Sequence, residues 1–202
     1  MNEVREILRA EEVIERFRRT GALLEGHFIL TSGLHSSVYL QCALVLQYPR
    51  EAESFARALA AEFQGQGISL VAAPAIGGLV IGYEVARALG ARFIWTERDA
   101  GGEMLLRRGF TVRPGEAALV VEDVITTGGS TRETIAALSR AGGRVVGAAS
   151  VIDRSAGRAD VGVSRKALAT LDVPSLAPAA CPLCAQGLPA VKPGSRKGRA
   201  EG

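Results

Sequence analysis

Leu119-Val120-Val121-Glu122-Asp123-Val124-Ile125-Thr126-Thr127-Gly128-Gly129-Ser130-Thr131 decides how this 202-residue chain is read. Apolar Ala118 to Val121 predict a short strand that delivers two adjacent carboxylates to its carboxyl end. Two hydroxyl residues and two glycines follow, and a helix is predicted through about Ala141. Glycines let successive backbone N–H groups turn towards one point, Thr and Ser add hydroxyl donors, and the helix N-terminus adds partial positive charge. Such a turn holds an anion the size of a phosphate. The carboxylates would repel that phosphate, but they suit the hydroxyls of a ribose. A plainer reading makes Asp123 a helix cap in an acidic turn. The order of apolar run, Glu-Asp, Thr-Thr, Gly-Gly and Ser is more specific than that. It is neither the GxxxxGK phosphate loop nor the GxGxxG dinucleotide fingerprint.

Outward from this stretch, apolar strands alternate with helices. Residues 69–73 and 92–95 read as strands, and so do residues 144–152. Pro49 opens a helix whose Ala52, Phe55, Ala56, Leu59 and Phe63 share one face. Pro74-Ala75-Ile76-Gly77-Gly78 leads into a helix that runs to about Leu89. Continuous apolar strands with helices between them predict an α/β protein with a mostly parallel sheet flanked by helices. Ligands bind such sheets at the carboxyl ends of the strands. Residues 96–108 carry Gly101-Gly102 with charge on both sides, and read as a mobile hairpin beside the site. At the start, Ala10, Val13, Ile14 and Phe17 recur at helical spacing. Residues 155–202 are less regular.

A sequence pI of about 9.0 suggests nucleic acid at first glance, but the distribution of charge argues otherwise. From Arg165 onward there are six basic and two acidic residues, so residues 1–164 hold eighteen basic and nineteen acidic ones. The basic character belongs to the tail, and no nucleic-acid partner is expected. No run of 18 apolar residues suggests a membrane span, and the charged start is not a secretory signal. A cytoplasmic, reducing compartment is therefore expected. Cys42, Cys181 and Cys184 are then thiols rather than disulfides. Cys181-Pro182-Leu183-Cys184 is half of a zinc site with its second pair missing, and the pair is expected to be packed or idle.

Val121 to Ser130 resembles the phosphoribosyl pyrophosphate loop of the type I phosphoribosyltransferases. Gly26-His27-Phe28-Ile29-Leu30-Thr31-Ser32-Gly33 and Ser37-Val38-Tyr39-Leu40-Gln41 resemble the amino-terminal substrate segment of the orotate phosphoribosyltransferase family. Residues 73–78 are similar to that family's second pyrophosphate-side loop, and Val151-Ile152-Asp153-Arg154 resembles its orotate-contacting strand end. The resemblance spans residues 20–155 or so. It implies one domain over 1–202, with a core of about 45–155, a small hood from about 1–44 plus the C-terminal segment, and a flexible tail of about 190–202. It implies transfer of a phosphoribosyl group from 5-phosphoribosyl 1-pyrophosphate to orotate in pyrimidine synthesis, with Mg2+ held mainly by substrate and no direct protein ligand, in a homodimer.

Residue by residue, the resemblance implies that Glu122 and Asp123 hold the ribose hydroxyls and that Thr126, Thr127, Gly128, Gly129 and Ser130 bind the 5'-phosphate, with Val124 and Ile125 also in the phosphoribosyl pyrophosphate site. Ile76 and Gly77 would meet the pyrophosphate. Arg154, Thr126, Thr31, Ser32 and Gly33 would meet orotate. Many members carry a lysine where this chain has Thr31, and lysines and a histidine in the flexible loop. This chain has no lysine before Lys166, so arginine takes that role, with Arg98 as first candidate and Arg107 or Arg108 as second. Arg98 and Asp123 are the expected catalytic residues. The alternatives are a transferase for a purine base and a non-catalytic regulator that senses phosphoribosyl pyrophosphate. Against the regulator, residues 1–20 are too short for a winged helix.

Overall fold

The computed structural model describes residues 8–30 and 32–193. Helix α1 (Ala10–Arg19) buries Val13 and Phe17 on one face, as their spacing predicts. Strands β1 (Leu23–Ile29) and β2 (His35–Leu40) pair as an antiparallel hairpin. A short α2 (Ala43–Leu46) precedes α3 (Pro49–Ala61), where proline sits in the first turn and its missing N–H costs nothing. Then come β3 (Leu70–Pro74), α4 (Leu79–Leu89), β4 (Arg92–Arg98), β5 (Met104–Leu106), β6 (Ala117–Ile125), α5 (Gly129–Arg140), β7 (Arg144–Asp153) and β8 (Arg165–Thr170). A single turn at Pro178–Ala180 leads into α6 (Pro182–Ala185).

Six strands form one sheet in the order β5-β4-β3-β6-β7-β8. All neighbours are parallel except β4 and β5. Side chains alternate across a strand, so each strand feeds both layers. Val71, Leu119, Val121, Ala149 and Val151 pack with Phe55, Leu59, Ile81 and Val85 from α3 and α4. Leu70, Ala72, Ala118, Val120 and Ala148 pack with Leu138 of α5 on the other face. This is the three-layer α/β architecture expected from the alternating pattern.

The differences from the sequence reading are local. β6 runs on to Ile125, so Glu122 and Asp123 stand within the strand rather than in the loop after it. β4 extends to Arg98 and forms the hairpin with β5. β8 lies in the stretch expected to be irregular, beyond residue 155. It is an edge strand, half exposed and without a continuous apolar run, so periodicity gave no signal.

The hairpin β1–β2 stands apart from the large sheet. The C-terminal segment wraps it from both sides: Val191 N donates to His27 O (2.8 Å) and Leu176 N donates to His35 O (2.9 Å). All three cysteines are unpaired. Among the described residues, no helix is long and apolar enough to cross a membrane.

Candidate active site

In a parallel sheet the ligand crevice opens at the carboxyl ends of the strands, where the direction of chain progress reverses. From β3 the chain moves outward to β4, and from β6 it moves the other way to β7. The reversal falls between β3 and β6, and loops 75–78 and 126–128 flank it.

The two adjacent carboxylates leave β6 on opposite faces. Asp123 shares the face of Val121 and lies against the first loop. A Cβ added to Gly77 would come 2.8 Å from Asp123 Oδ1, and one added to Gly78 would come 2.9 Å from the carbonyl oxygen of Val121. Backbone therefore excludes a side chain at Gly78, and a side chain at Gly77 would displace the Asp123 carboxylate. Burial raises the Asp123 carboxyl above its ordinary value, although the N–H of Val124, 2.9 Å from Oδ1, and the Cys42 thiol both favour the charged form. Glu122 points to the α5 face, in register with Ser150 of β7. Glu122 Oε1 and Ser150 Oγ are buried with no hydrogen-bond partner. Burial, and then the neighbouring Asp123 charge, push Glu122 up to about 8.

Beyond the strand, Gly128 sits at φ +74°, and a Cβ there would lie 2.7 Å from Val161 Cγ1. Only glycine fits both constraints. No side chain caps the N-terminus of α5 that follows, so its first amides can serve an anion.

A cleft of about 400 Å3 opens beside this turn, lined among others by Thr126, Thr127, Arg132, Arg154, Ser155 and Arg158. Three arginines give it positive character. Arg154 Nη2 donates to Ser36 Oγ of β2 at 2.6 Å, while its Nε is buried without a partner. Burial lowers the Arg154 pKa, yet a guanidinium stays charged. Arg132 Nη1 donates to the carbonyls of Thr127 (2.9 Å) and Asp160 (2.6 Å), tying the turn to the far wall. Asp153 anchors that wall by accepting from Ser155 N (2.7 Å), Ser155 Oγ (2.6 Å) and Arg165 Nη1 (2.5 Å). Burial works to raise the Asp153 carboxyl, and these bonds outweigh it and hold it below its ordinary value.

The phosphoribosyl transferase domain family matches residues 45–168. An orotate phosphoribosyltransferase of Pelotomaculum thermopropionicum is 58% identical over 187 residues, covering 93% of this chain and 98% of that one. The chain belongs to the orotate phosphoribosyltransferase family. Among solved structures, the orotate phosphoribosyltransferase of Aeropyrum pernix superposes with a TM-score of 0.64 at 29% identity, over 79% of this chain and 93% of that one. That of Mycobacterium tuberculosis in complex with 5-phospho-alpha-D-ribosyl 1-diphosphate gives a TM-score of 0.57 at 25% identity, over 66% and 81%.

In this chain the expected site residues fall into three groups. Thr126, Thr127 and Arg154 line the cleft and Gly128 sits in the turn beside it, Gly77 lies against Asp123 and Ile76 is exposed, while Glu122 is buried towards α5. Ser32 and Gly33 form the exposed turn of the hood hairpin, where Gly33 N donates to Leu30 O at 2.9 Å. Neither lines the cleft. Thr31 lies outside the described residues. The arginines expected to act as a lid, Arg98, Arg107 and Arg108, form the third group, on the β4–β5 hairpin and the chain just after it, and none lines the cleft. Arg98 is bonded to Glu133 of α5 (2.5 Å) and to Gly102 O (2.7 Å), while Arg108 and Arg107 pair with Glu97 (2.9 and 3.8 Å).

Arg132 and Arg158 escaped the sequence reading. Arg132 had a usable signal. A basic residue in the first turn of a helix opposes the helix dipole, so it requires a partner elsewhere, here the two carbonyls. Arg158 follows an irregular stretch and had none.

Proposed function

We infer that this chain transfers the 5-phosphoribosyl group of 5-phosphoribosyl 1-pyrophosphate to orotate, giving orotidine 5'-phosphate and pyrophosphate. One observation carries the reading: a glycine-requiring turn at an uncapped helix start, with one buried and one partly buried carboxylate before it and a half-buried arginine beside it. The turn at Thr126, Thr127, Gly128, Gly129 and Ser130 takes the 5'-phosphate. Glu122 and Asp123 accept hydrogen bonds from the ribose hydroxyls. Arg154 offers its fork to the orotate carboxylate or carbonyl oxygens, and the unpartnered Nε supports that role. Thr31, Ser32 and Gly33 close over the base.

In the reaction the bond from the anomeric carbon to a pyrophosphate oxygen breaks, and a ring nitrogen of orotate takes its place. The sugar passes through an oxocarbenium-like state. Orotate needs little activation, so the protein's part is to position both substrates and stabilise charge. The oxygen donors Glu122 and Asp123 fit a site for substrate-held Mg2+, a hard ion that keeps several waters and neutralises pyrophosphate when bound. Arg98 supplies further positive charge at the leaving group. Because it does not line its own chain's cleft, the hairpin suits closure over the site of a second copy in a homodimer. Unpaired thiols suit a cytoplasmic location.

Loss of the orotate absorbance, followed with and without Mg2+, tests the activity. Orotate-dependent pyrophosphate release is expected, and turnover of adenine or hypoxanthine instead would reassign the base. Arg98→Ala is expected to lower kcat about tenfold or more with an unchanged melting temperature. A normal rate would move the role to Arg107 or Arg108.

A further inference from the structure

The hood contains a cluster of donor atoms that phosphoribosyl transfer does not use. His27 lies near the end of β1 and His35 opens β2, while Cys181 and Cys184 flank the start of α6. Their donor atoms all lie within 4.8 Å of one another. His27 Nε2 is 2.8 Å from His35 Nδ1, 3.5 Å from Cys181 Sγ and 3.7 Å from Cys184 Sγ, and Cys184 Sγ is 3.2 Å from His35 Nδ1. A tetrahedral zinc ion with bonds of about 2.0 Å to nitrogen and 2.3 Å to sulfur spaces its donors about 3.3–3.8 Å apart. The four separations given run from 2.8 to 3.7 Å and none of the set exceeds 4.8 Å, so parting the two imidazoles by about half an ångström and drawing the widest pair in by up to about 1 Å would admit the ion.

The orientation of the rings supports ligation. His27 Nδ1 lies 2.8 Å from Leu188 O. A carbonyl can only accept, so Nδ1 carries the hydrogen and the Nε2 lone pair faces the cluster. Metal-bound histidines are commonly fixed by such an outer hydrogen bond. His27, His35 and Cys181 are buried, which matches a closed structural site rather than an open catalytic one. Two sulfurs and two nitrogens select zinc over the hard ions Mg2+ and Ca2+. The missing half of the Cys181–Cys184 pair is therefore on the same chain, brought across about 150 residues of sequence by the β1–β2 hairpin.

We propose that His27, His35, Cys181 and Cys184 bind one zinc ion that clips the C-terminal segment to the hood hairpin. On binding, the two thiols release their protons to solvent, and two thiolates with two neutral imidazoles balance the charge of the ion. The clip acts where the backbones already meet. His27 O and His35 O accept hydrogen bonds from Val191 and Leu176, and the N–H of His35 donates to Leu176 O at 2.7 Å. Ser36, which accepts the bond from Arg154, is the next residue after His35. The ion thus steadies the strand that supports Arg154, and its presence does not depend on which base the enzyme uses.

The test is elemental analysis of the full chain purified from zinc-supplemented medium without chelator, together with visible spectra after cobalt substitution. About one zinc per chain is expected, with the absorption of tetrahedral cobalt and a thiolate-to-cobalt charge-transfer band. The Cys181→Ser/Cys184→Ser double variant is expected to lose both. Wild-type protein with less than about a tenth of an equivalent of zinc and no thiolate–cobalt band would overturn the proposal. It would leave thiols and imidazoles simply hydrogen-bonded. Full metal content in the double variant would overturn it too, by placing the ion elsewhere. Both wild-type readings stand even if the variant fails to fold.

Discussion

Replacing Glu122 by glutamine is expected to make the substrate-free protein more stable, by a margin that grows with pH. In water this carboxyl titrates near 4.5, and in the fold it is pushed up to about 8. Between those values the folded chain holds a proton that the unfolded chain has released. A carboxyl raised by folding contributes its stability below the unfolded value and loses it as pH rises. Each pH unit in that window costs about 1.4 kcal/mol. The accumulated cost is about 2 kcal/mol at pH 6 and about 4 kcal/mol at pH 8. Glutamine resembles the protonated acid in shape and does not titrate, so it removes the slope. Urea unfolding, followed by the fluorescence of Trp95, the single tryptophan, measures the difference. The margin of Glu122→Gln over wild type is expected to widen by about 2 kcal/mol from pH 6 to pH 8. The same variant is expected to bind phosphoribosyl pyrophosphate more weakly, because an ionised carboxylate accepts two hydroxyls better than an amide does. Parallel stability curves in the two proteins would refute the buried, unpartnered state of this side chain.

Other outcomes follow from the same geometry. Gly128→Ala sets a Cβ against Val161 at a positive φ; it is expected to cost about 1–3 kcal/mol in thermal unfolding and to raise KM for phosphoribosyl pyrophosphate. Arg154→Ala is expected to raise KM for orotate about a hundredfold while calorimetry of phosphoribosyl pyrophosphate changes little. Glu116, held at about 2 chiefly by its hydrogen bond to Arg92, gives the opposite pH dependence to Glu122. Its contribution is present above about 4.5 and is lost as pH falls through 2. With Arg92 about a third exposed, Glu116→Gln is expected to lose about 2 kcal/mol at pH 7, with the loss shrinking in acid denaturation below pH 4.

The parts of this protein that sequence made legible share one property: their signal is contiguous. Leu119 to Thr131 hold strand, acidic pair, glycine turn and helix start in thirteen consecutive residues. The apolar faces of α3 and α4 are equally local. The illegible parts depend on distant residues meeting. Nothing in the spacing of His27 and His35 announces that a hairpin with a bulge between Glu25 and Phe28 turns both rings towards Cys181 and Cys184. Nor does the sequence alone show that Glu122 and Asp123 divide between two faces, because that requires knowing that the strand continues through them. Ser36 and Arg154 meet although they lie 118 residues apart. The pairing of Arg98 with Glu133 is a further case, since the two lie 35 residues apart.

The account turns on whether the segment between β6 and α5 grips a phosphorylated pentose. A crystal structure with ribose 5-phosphate measures this directly. The phosphate is expected on the amides and hydroxyls of Thr126, Thr127, Gly128, Gly129 and Ser130, with the ribose hydroxyls on Glu122 and Asp123. A sugar phosphate seated elsewhere, with that turn's amides bonded inward, would contradict it.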